Sequence, residues 1–142
     1  MAHSAFRTKE DVLRYVLAFS SNDFAGFSGF YAPDVRMILG DKVSLDGGPG
    51  AIVDFFQKWR KSINEHLDVD HIVLDEHGCA IKTTATFTAI VDLNEGFMDW
   101  GPPVPKGGGY RRKYIVFYTL NGDAKVTSIQ AARMGDVEVF KP

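Results

Sequence analysis

The side chains in this sequence that could take part in chemistry are tyrosines and arginines. A tyrosine hydroxyl can hold or protonate a substrate oxygen, and a guanidinium can stabilise the negative charge that develops during a reaction. One tyrosine lies in a helical pattern, one arginine in a short strand pattern, and the others in two later strand patterns. The candidate catalytic residues are therefore Tyr15, Arg36, Arg112, Tyr114 and Arg133.

Each of these residues also has a purely structural interpretation. A buried tyrosine needs a hydrogen-bond partner for its hydroxyl whether or not it acts on a substrate. Arg112 and Arg133 could extend to solvent or pair with carboxylates at the rim of a pocket, because a guanidinium is costly to bury alone. Arg36 could lie in solvent beside Asp34.

The sequence gives little support for metal or cofactor chemistry. His66, His71 and His77 lie on or near one strand pattern, without the spacing to acidic residues that a metal site needs. Cys79 has no basic neighbour in sequence, which predicts an inert thiol. The glycines at 107–109 lack the following helix and the lysine of a phosphate-binding loop. We expect no metal and no cofactor.

Length and composition predict one domain, residues 1–142, with a substantial core, since 45% of the residues are hydrophobic. The net charge of -2 argues against a nucleic-acid or anionic-membrane partner. No segment reaches the roughly 18 to 20 apolar residues that span a bilayer. Residues 1–4 lack the basic and apolar regions of a signal peptide, and the single cysteine excludes an internal disulfide, so we expect a cytoplasmic protein.

Helical patterns dominate the first sixty residues. Thr8 and Asp11 mark the start of a first helix. A second helical pattern runs through 24–31, and Pro33 stops it. A short strand is predicted over 35–39 and a loop over 40–48. A third helix then begins near Pro49 and ends near Ser62.

Strand patterns fill the rest of the chain, over 67–74, 79–92, 110–120 and 125–134. Helices followed by antiparallel strands indicate an α+β fold, with three N-terminal helices on a curved, mostly antiparallel sheet around a cone-shaped pocket. The loop 93–109 contains Phe97, Met98 and Trp100, which predicts a lid over the pocket mouth. Because neither face of the strands is fully polar, we expect a homodimer through the exposed sheet face.

The order of these elements resembles the nuclear transport factor 2-like superfamily, and within it the ketosteroid isomerase and SnoaL-like branch. Tyr15, the segments 30–35 and 48–56, and the last strand at 125–134 carry the resemblance. It covers nearly the whole chain apart from 93–109. It implies that Tyr15 occupies the position of an oxyanion-hole donor. The fold hosts isomerases, dehydratases, cyclases, epoxide hydrolases and non-catalytic binders, so it does not by itself give a function.

The resemblance also implies that the acidic residues of these families are absent here. Leu39 stands where ketosteroid isomerases have the aspartate that transfers the proton, and Val116 stands where they have a protonated aspartate. Phe56 replaces a supporting tyrosine. Gln130 or Ala131 lies near the aspartate of SnoaL-type cyclases. Because leucine cannot accept a proton, ketosteroid isomerase chemistry is not expected.

The resemblance further implies which strand residues face the pocket. One strand presents Arg112, Tyr114, Val116 and Tyr118, and the last strand presents Ile129, Ala131 and Arg133. The favoured register points Lys82, Thr84, Thr86 and Thr88 inward, whereas a slip of one residue would present Ile81, Thr83, Ala85 and Phe87 instead. The expected substrate-binding residues are Phe27, Met37, Leu39, Phe56, Trp59, Lys82, Trp100, Tyr110, Val116, Tyr118, Ile129, Gln130 and Ala131.

Together these inferences predict a small cofactor-independent enzyme that acts on a hydrophobic, oxygenated small molecule. The reaction would be an isomerisation, cyclisation, rearrangement or dehydration in secondary metabolism. An alternative is a non-catalytic small-molecule-binding or assembly module with the same fold, which the apolar residues at Leu39 and Val116 favour. A second alternative is an interaction protein whose sheet face recruits a different partner chain.

Overall fold

Three helices cover one face of a six-stranded sheet in the computed structural model, which describes residues 4–142. Residues 1–3, including His3 and most of the N-terminal segment considered above, lie outside the described residues. The helices are α1 (Lys9–Ser20), α2 (Phe24–Ser28) and α3 (Gly48–Trp59). The strands are β1 (Tyr31–Leu39), β2 (Val43–Leu45), β3 (Ile63–Leu74), β4 (Gly78–Ala89), β5 (Gly109–Leu120) and β6 (Val126–Phe140).

The strand order is β2-β1-β6-β5-β4-β3. β1 pairs in parallel with β6, and the other neighbours pair antiparallel. This is the predicted α+β arrangement of three helices on a curved, mostly antiparallel sheet. No helix within residues 4–142 is long and apolar enough to cross a bilayer.

The first helix forms as its sequence predicts. The Thr8 side chain accepts a hydrogen bond from the Asp11 amide at 3.2 Å, and the Asp11 carboxylate accepts one from the Thr8 amide at 2.8 Å. This reciprocal cap satisfies two amides that the first turn leaves free. The residues that α1 buries are Val12, Tyr15, Val16 and Phe19.

Several element boundaries differ from the sequence-based prediction. α2 ends at Ser28 rather than near Tyr31, because Tyr31 already begins β1. Pro33 therefore lies inside a strand, at a point where the pairing of β1 with β6 is irregular and the pairing with β2 has not begun. A proline is tolerated there because no ladder hydrogen bond needs its missing amide. The predicted loop 40–48 contains the short strand β2, and β6 extends six residues beyond Met134 to Phe140.

The inward face of β4 is the opposite of the favoured prediction. Ile81, Thr83, Ala85 and Phe87 are buried, whereas Lys82 is exposed. The more apolar row of β4 side chains faces the helices. Lys82, which would be costly to bury, faces solvent. Thr83 is accommodated because its hydroxyl donates to the Asp68 carbonyl at 2.9 Å.

The segment 93–109 is hydrogen-bonded and packed rather than irregular. Leu93 and Val104 exchange backbone hydrogen bonds of 2.8 and 3.3 Å, and Phe97 and Gly101 exchange bonds of 2.9 and 2.8 Å. Leu93 and Val104 belong to a second apolar cluster that also contains Ile63, Ala85, Phe87, Ala89 and Tyr110. The segment thus caps one end of the helix–sheet interior.

Candidate functional site

A cavity lies between the helices and the concave face of the sheet, with walls that are mostly apolar and aromatic. It encloses about 870 Å³ when the space at its open mouth is included. Of the predicted catalytic residues, Tyr15, Tyr114 and Arg133 line it. Of the predicted substrate-binding residues, those that line it are Met37, Leu39, Phe56, Trp59, Trp100, Val116, Tyr118, Ile129 and Ala131.

Two predicted catalytic arginines lie outside this lining. Arg36 is exposed on β1 and forms an ion pair with Asp46 at 2.8 Å, because the neighbouring Met37 takes the inward position. Arg112 lies behind Trp100, with its guanidinium 5.1 Å from the indole ring centre. Its Nη2 donates to the Gly135 carbonyl at 3.2 Å.

Four predicted substrate-binding residues are also elsewhere. Phe27 is fully buried in the main core beneath the cavity wall. Tyr110 lies in the second apolar cluster, and its hydroxyl donates to the Pro102 carbonyl. Lys82 and Gln130 are exposed, and both alternate with cavity-facing neighbours, so they project from the outer face of the sheet.

Three buried tyrosines lie together at the cavity wall. The Tyr15 and Tyr31 hydroxyl oxygens are 2.7 Å apart, and the Tyr118 ring packs against the Tyr15 ring with centroids 5.5 Å apart. Burial raises the pKa of all three hydroxyls above the ordinary tyrosine value. They are therefore neutral donors at physiological pH, and Tyr15 and Tyr118 line the cavity.

The cavity wall also contains a buried carboxyl, that of Glu65, which the sequence analysis missed. Glu65 lies on β3, lines the cavity, and has a side chain only 11% exposed. Burial raises the pKa of its carboxyl from 4.5 to about 7, and the nearby Arg60 opposes part of that rise. Near neutral pH the group therefore exists in both protonation states, as a general acid or base requires.

The signal for Glu65 was present in the alternation of Ile63, Glu65, Leu67 and Val69, which places an acid in an inward-facing row. The prediction began this strand at Leu67, so Glu65 was assigned to a connection instead. β3 begins four residues earlier, at Ile63.

Arg60 holds Glu65 in place from behind the cavity wall. Its Nη1 is 3.4 Å from the Glu65 Oε1, its Nε donates to the Asn22 side chain at 2.5 Å, and its Nη2 donates to the Phe19 carbonyl at 3.2 Å. The guanidinium also lies 4.8 Å from the ring centre of Phe19 and 5.6 Å from that of Phe56. These contacts join α1, α3 and β3 at one buried point.

Charged groups surround the cavity mouth. Arg133 Nη1 lies 3.5 Å from the Asp99 Oδ1, so this pair connects β6 to the segment 93–109. Asp41 and Lys42, on the turn between β1 and β2, also line the cavity. Burial raises the pKa of Tyr114, and the charge of Glu65 raises it further, whereas Arg112 and Arg133 oppose the rise.

Other lining residues were not expected at the site from sequence: Phe19, Gly40, Leu67, Thr83, Phe87 and Asp99. Of the three side chains predicted to cover the mouth, Met98 and Trp100 line the cavity, and Phe97 packs instead against Trp59, Phe87, Trp100 and Tyr110. Among residues 4–142, Trp59 Nε1 and Arg112 Nε are buried without a hydrogen-bond partner. The same residues contain no group of three His, Cys, Asp or Glu side chains placed to hold a metal ion.

Residues 12–129 match the SnoaL-like domain. The chain belongs to this family. SnoaL-like domains fall within the nuclear transport factor 2-like superfamily, so the predicted family and fold are confirmed. A search of curated protein sequences found no significant match.

Solved structures share the SnoaL-like fold of this chain at low sequence identity. The epoxide hydrolase/cyclase-like enzyme SalBIII, which has a role in pyran ring formation in the polyether salinomycin, is 17% identical, with 93% of this chain and 95% of that chain covered and a TM-score of 0.72. A candidate polyketide cyclase from Xanthomonas campestris pv. campestris is 21% identical, with 84% of each chain covered and a TM-score of 0.68. An LEH-like epoxide hydrolase from M. tuberculosis is 9% identical, with 87% of this chain and 79% of that chain covered and a TM-score of 0.67.

Within this SnoaL-like domain, the positions that the resemblance pairs with the carboxylates of ketosteroid isomerases are apolar parts of the cavity wall, namely Leu39 and Val116. The buried carboxyl of this cavity instead comes from Glu65 on β3, at the edge strand farthest from β1 and β2. The site therefore combines a buried acid or base with hydroxyl donors.

The raised pKa of Glu65 predicts how stability changes with pH. Because the folded state holds the Glu65 proton up to a pKa of about 7 and the unfolded state releases it near 4.5, the wild type loses stability as pH rises through that interval. The Glu65→Gln variant lacks this loss. We expect its free energy of unfolding relative to the wild type to rise by about 3 kcal/mol across the interval, as measured by urea denaturation. A difference that stays constant with pH would contradict the assignment.

Proposed function

We propose that this protein is a cofactor-independent acid–base enzyme that isomerises, cyclises or dehydrates a flat, hydrophobic, oxygenated small molecule. The observation that carries the proposal is the presence of the Glu65 carboxyl and the Tyr15 and Tyr118 hydroxyls in one mostly apolar cavity. Hydrogen bonds and charges act strongly where water is scarce. The coarser conclusion, a small enzyme of the SnoaL-like fold, agrees with the cyclase and epoxide hydrolase-like neighbours.

Glu65 would act as the general base and then as the general acid. In its ionised form it takes a proton from a carbon or hydroxyl of the substrate, and it returns that proton at another position. Its pKa of about 7 suits both steps near neutral pH. Arg60 keeps the carboxylate oriented and stabilises its ionised form.

Tyr15 and Tyr118 would donate hydrogen bonds to the substrate oxygen on which negative charge develops. Tyr114, nearer the arginines of the mouth, would hold a second oxygen. Donors fixed in place before the reaction stabilise such charge without having to reorganise. A hydrogen bond from the Tyr31 hydroxyl would fix the Tyr15 hydroxyl in position and leave its proton for the substrate.

The aromatic walls support a flat substrate. Trp59 lies nearly parallel to Phe56 and Phe87, with interplanar angles of 24° and 12°. These rings contact one another and form a flat apolar part of the cavity wall, which suits planar or polycyclic ligands. The neighbours named as cyclases of polyketides and as forming a polyether ring suggest a substrate of that type, in secondary metabolism.

A non-catalytic binding module is the second candidate function. It is supported by the apolar side chains at Leu39 and Val116 and by the internal hydrogen bonds that already satisfy Tyr15. The two candidates differ in one respect that can be measured: the enzyme requires Glu65 to remove a proton from a carbon acid placed in the cavity, and a binding module does not.

The base-catalysed elimination of 5-nitrobenzisoxazole tests directly whether Glu65 acts as a base. The elimination of this flat probe requires only a base in an apolar site. Removal of its C3 proton breaks the N–O bond and releases 2-cyano-4-nitrophenolate, which is followed by absorbance. We expect the wild-type rate to rise with pH and level off above about 7, as Glu65 ionises. Glu65→Gln should lower the rate by about 10²- to 10⁴-fold.

Glu76→Gln is the matched control, since it removes an exposed carboxylate in the turn between β3 and β4 and should retain the wild-type rate. Equal rates for the wild type and Glu65→Gln would reject the enzyme and favour the binding module.

We also propose a homodimer through the outer face of the sheet. Ile115 and Ala132 are paired there across β5 and β6, and Phe117 and Met134 are exposed on the same face. The helices cover the opposite face, so these apolar side chains lie in solvent beside Lys82 and Gln130, and a second copy of the chain would cover them symmetrically. One domain over residues 1–142, a lid at 93–109 and a cytoplasmic location stay predictions.

The variant Phe117→Asp should convert the dimer to a monomer, because it would bury an unpaired carboxylate from each chain in the interface. Sedimentation velocity measures the change. Leu17→Asp is the control: Leu17 is 67% exposed on α1, away from the sheet, so its substitution should leave the dimer intact. A monomeric wild type, or a dimer that survives Phe117→Asp, would contradict the proposal.

A further inference from the structure

We propose that the cavity mouth is a carboxylate-binding subsite, in which Arg133 and Lys42 bind the carboxylate of a flat substrate. Asp99 pairs with Arg133 when no substrate is bound. The inference rests on the proposed function only in taking the cavity as the ligand site. The proposed substrate is a planar apolar carboxylate that binds with its carboxylate at the mouth.

The Arg133 guanidinium makes only a long contact with its carboxylate partner. Its contact with Asp99 is a single N–O distance of 3.5 Å, whereas a tight arginine–carboxylate pair has two contacts of roughly 2.7 to 2.9 Å. Within residues 4–142, the contact with Asp99 is the one hydrogen bond of the Arg133 side chain. The side chains of Arg133 and Asp99 are 30% and 37% exposed, so a ligand can reach both.

The guanidinium of Arg133 bridges two parts of the mouth. Nη1 faces Asp99, and Nη2 faces the turn between β1 and β2, where a Cβ added to Gly40 would lie 3.5 Å from it. Lys42 is on that turn and lines the same cavity. A carboxylate between Arg133 and Lys42 would therefore meet donors from two sides.

One further cation lies beside the charged groups of this end of the cavity. Lys42 and Arg133 line it together with Asp41 and Asp99, and Arg112, outside the lining, places its guanidinium 5.1 Å from the Trp100 ring centre. Within residues 4–142, the hydrogen bond of Arg112 goes to a carbonyl rather than a carboxylate. A nearby cation without a carboxylate partner favours the binding of an anion at a partly enclosed site.

The other wall of the cavity has the opposite sign and so sets the direction of binding. Glu65 repels a carboxylate when it is ionised, while the neutral Tyr15 and Tyr118 hydroxyls can donate to an oxygen. A planar acid would therefore enter with its carboxylate at the mouth. Its reactive, oxygenated end would then face the tyrosines and Glu65.

Substitution of Asp99 should have an unusual effect on binding at this subsite. Because Asp99 competes with the ligand for Arg133, removing its charge should strengthen binding of an acid, although most substitutions in a binding site weaken binding. A neutral ligand of the same shape should not respond.

Calorimetric titration with 2-naphthoate and its neutral isostere 2-naphthamide tests the subsite at about pH 6, where the naphthoate is ionised. We expect the wild type to prefer naphthoate. Arg133→Gln should weaken naphthoate binding about tenfold and change naphthamide binding by less than about twofold. Asp99→Asn should strengthen naphthoate binding about two- to fivefold.

Arg36→Gln and Asp46→Asn are the matched controls, because they make the same charge changes at the exposed Arg36–Asp46 pair outside the cavity. Both should keep the wild-type ratio of the two affinities. Ala131→Trp, or the smaller Ala131→Phe if the tryptophan variant fails to fold, fills the cavity and should abolish binding of both ligands.

The outcomes separate the subsite from the proposed function. Three results would overturn the subsite and leave the cavity as a ligand site. They are equal binding of the two ligands by the wild type, equal weakening of both by Arg133→Gln, and weaker naphthoate binding by Asp99→Asn. Absence of binding to the wild type, or binding that survives filling at Ala131, overturns both the subsite and the cavity as the ligand site.

Discussion

The buried ion pair between Arg60 and Glu65 is the interaction on which the site depends. Taking two charges out of water costs several kcal/mol per ion, and the pair is stable only if further contacts offset that cost. Here the Asn22 side chain, the Phe19 carbonyl and two aromatic rings supply those contacts to Arg60. The same contacts fix the ends of α1 and α3 against β3, so the group suited to proton transfer is also part of what joins the helices to the sheet.

This constraint explains the division of roles around the cavity. The Tyr15 and Tyr31 hydroxyls are hydrogen-bonded to each other, and burial keeps these hydroxyls and that of Tyr118 neutral. Glu65 carries the buried negative charge of the cavity, and its partner Arg60 stays behind the wall. The other charged groups lie at the mouth, where water reduces their cost. An apolar substrate would thus meet cations first and the proton-transfer group last.

Much of the fold was predictable from local patterns, and the centre of the site was not. The capping box at Thr8 predicted α1, and the family resemblance predicted the inward faces of β5 and β6, including Tyr114, Val116 and Arg133. The face of β4 was predicted wrongly, although Ile81, Ala85 and Phe87 form the more apolar row. Glu65 was missed because the predicted strand began at Leu67, which left Glu65 outside the alternating row, and because a pattern of residue types does not show that Arg60, at the end of α3, turns toward it.

The most direct test of this account is a ¹³C NMR titration of the Glu65 side-chain carboxyl, assigned with the Glu65→Gln variant. The account predicts a titration midpoint near 7, together with a change in the chemical shifts of Tyr15 and Tyr118 at the same pH, because both hydroxyls sense the Glu65 charge. A midpoint near the ordinary value of 4.5 would show that the carboxyl is solvated, and would contradict a buried acid–base group at the centre of the site.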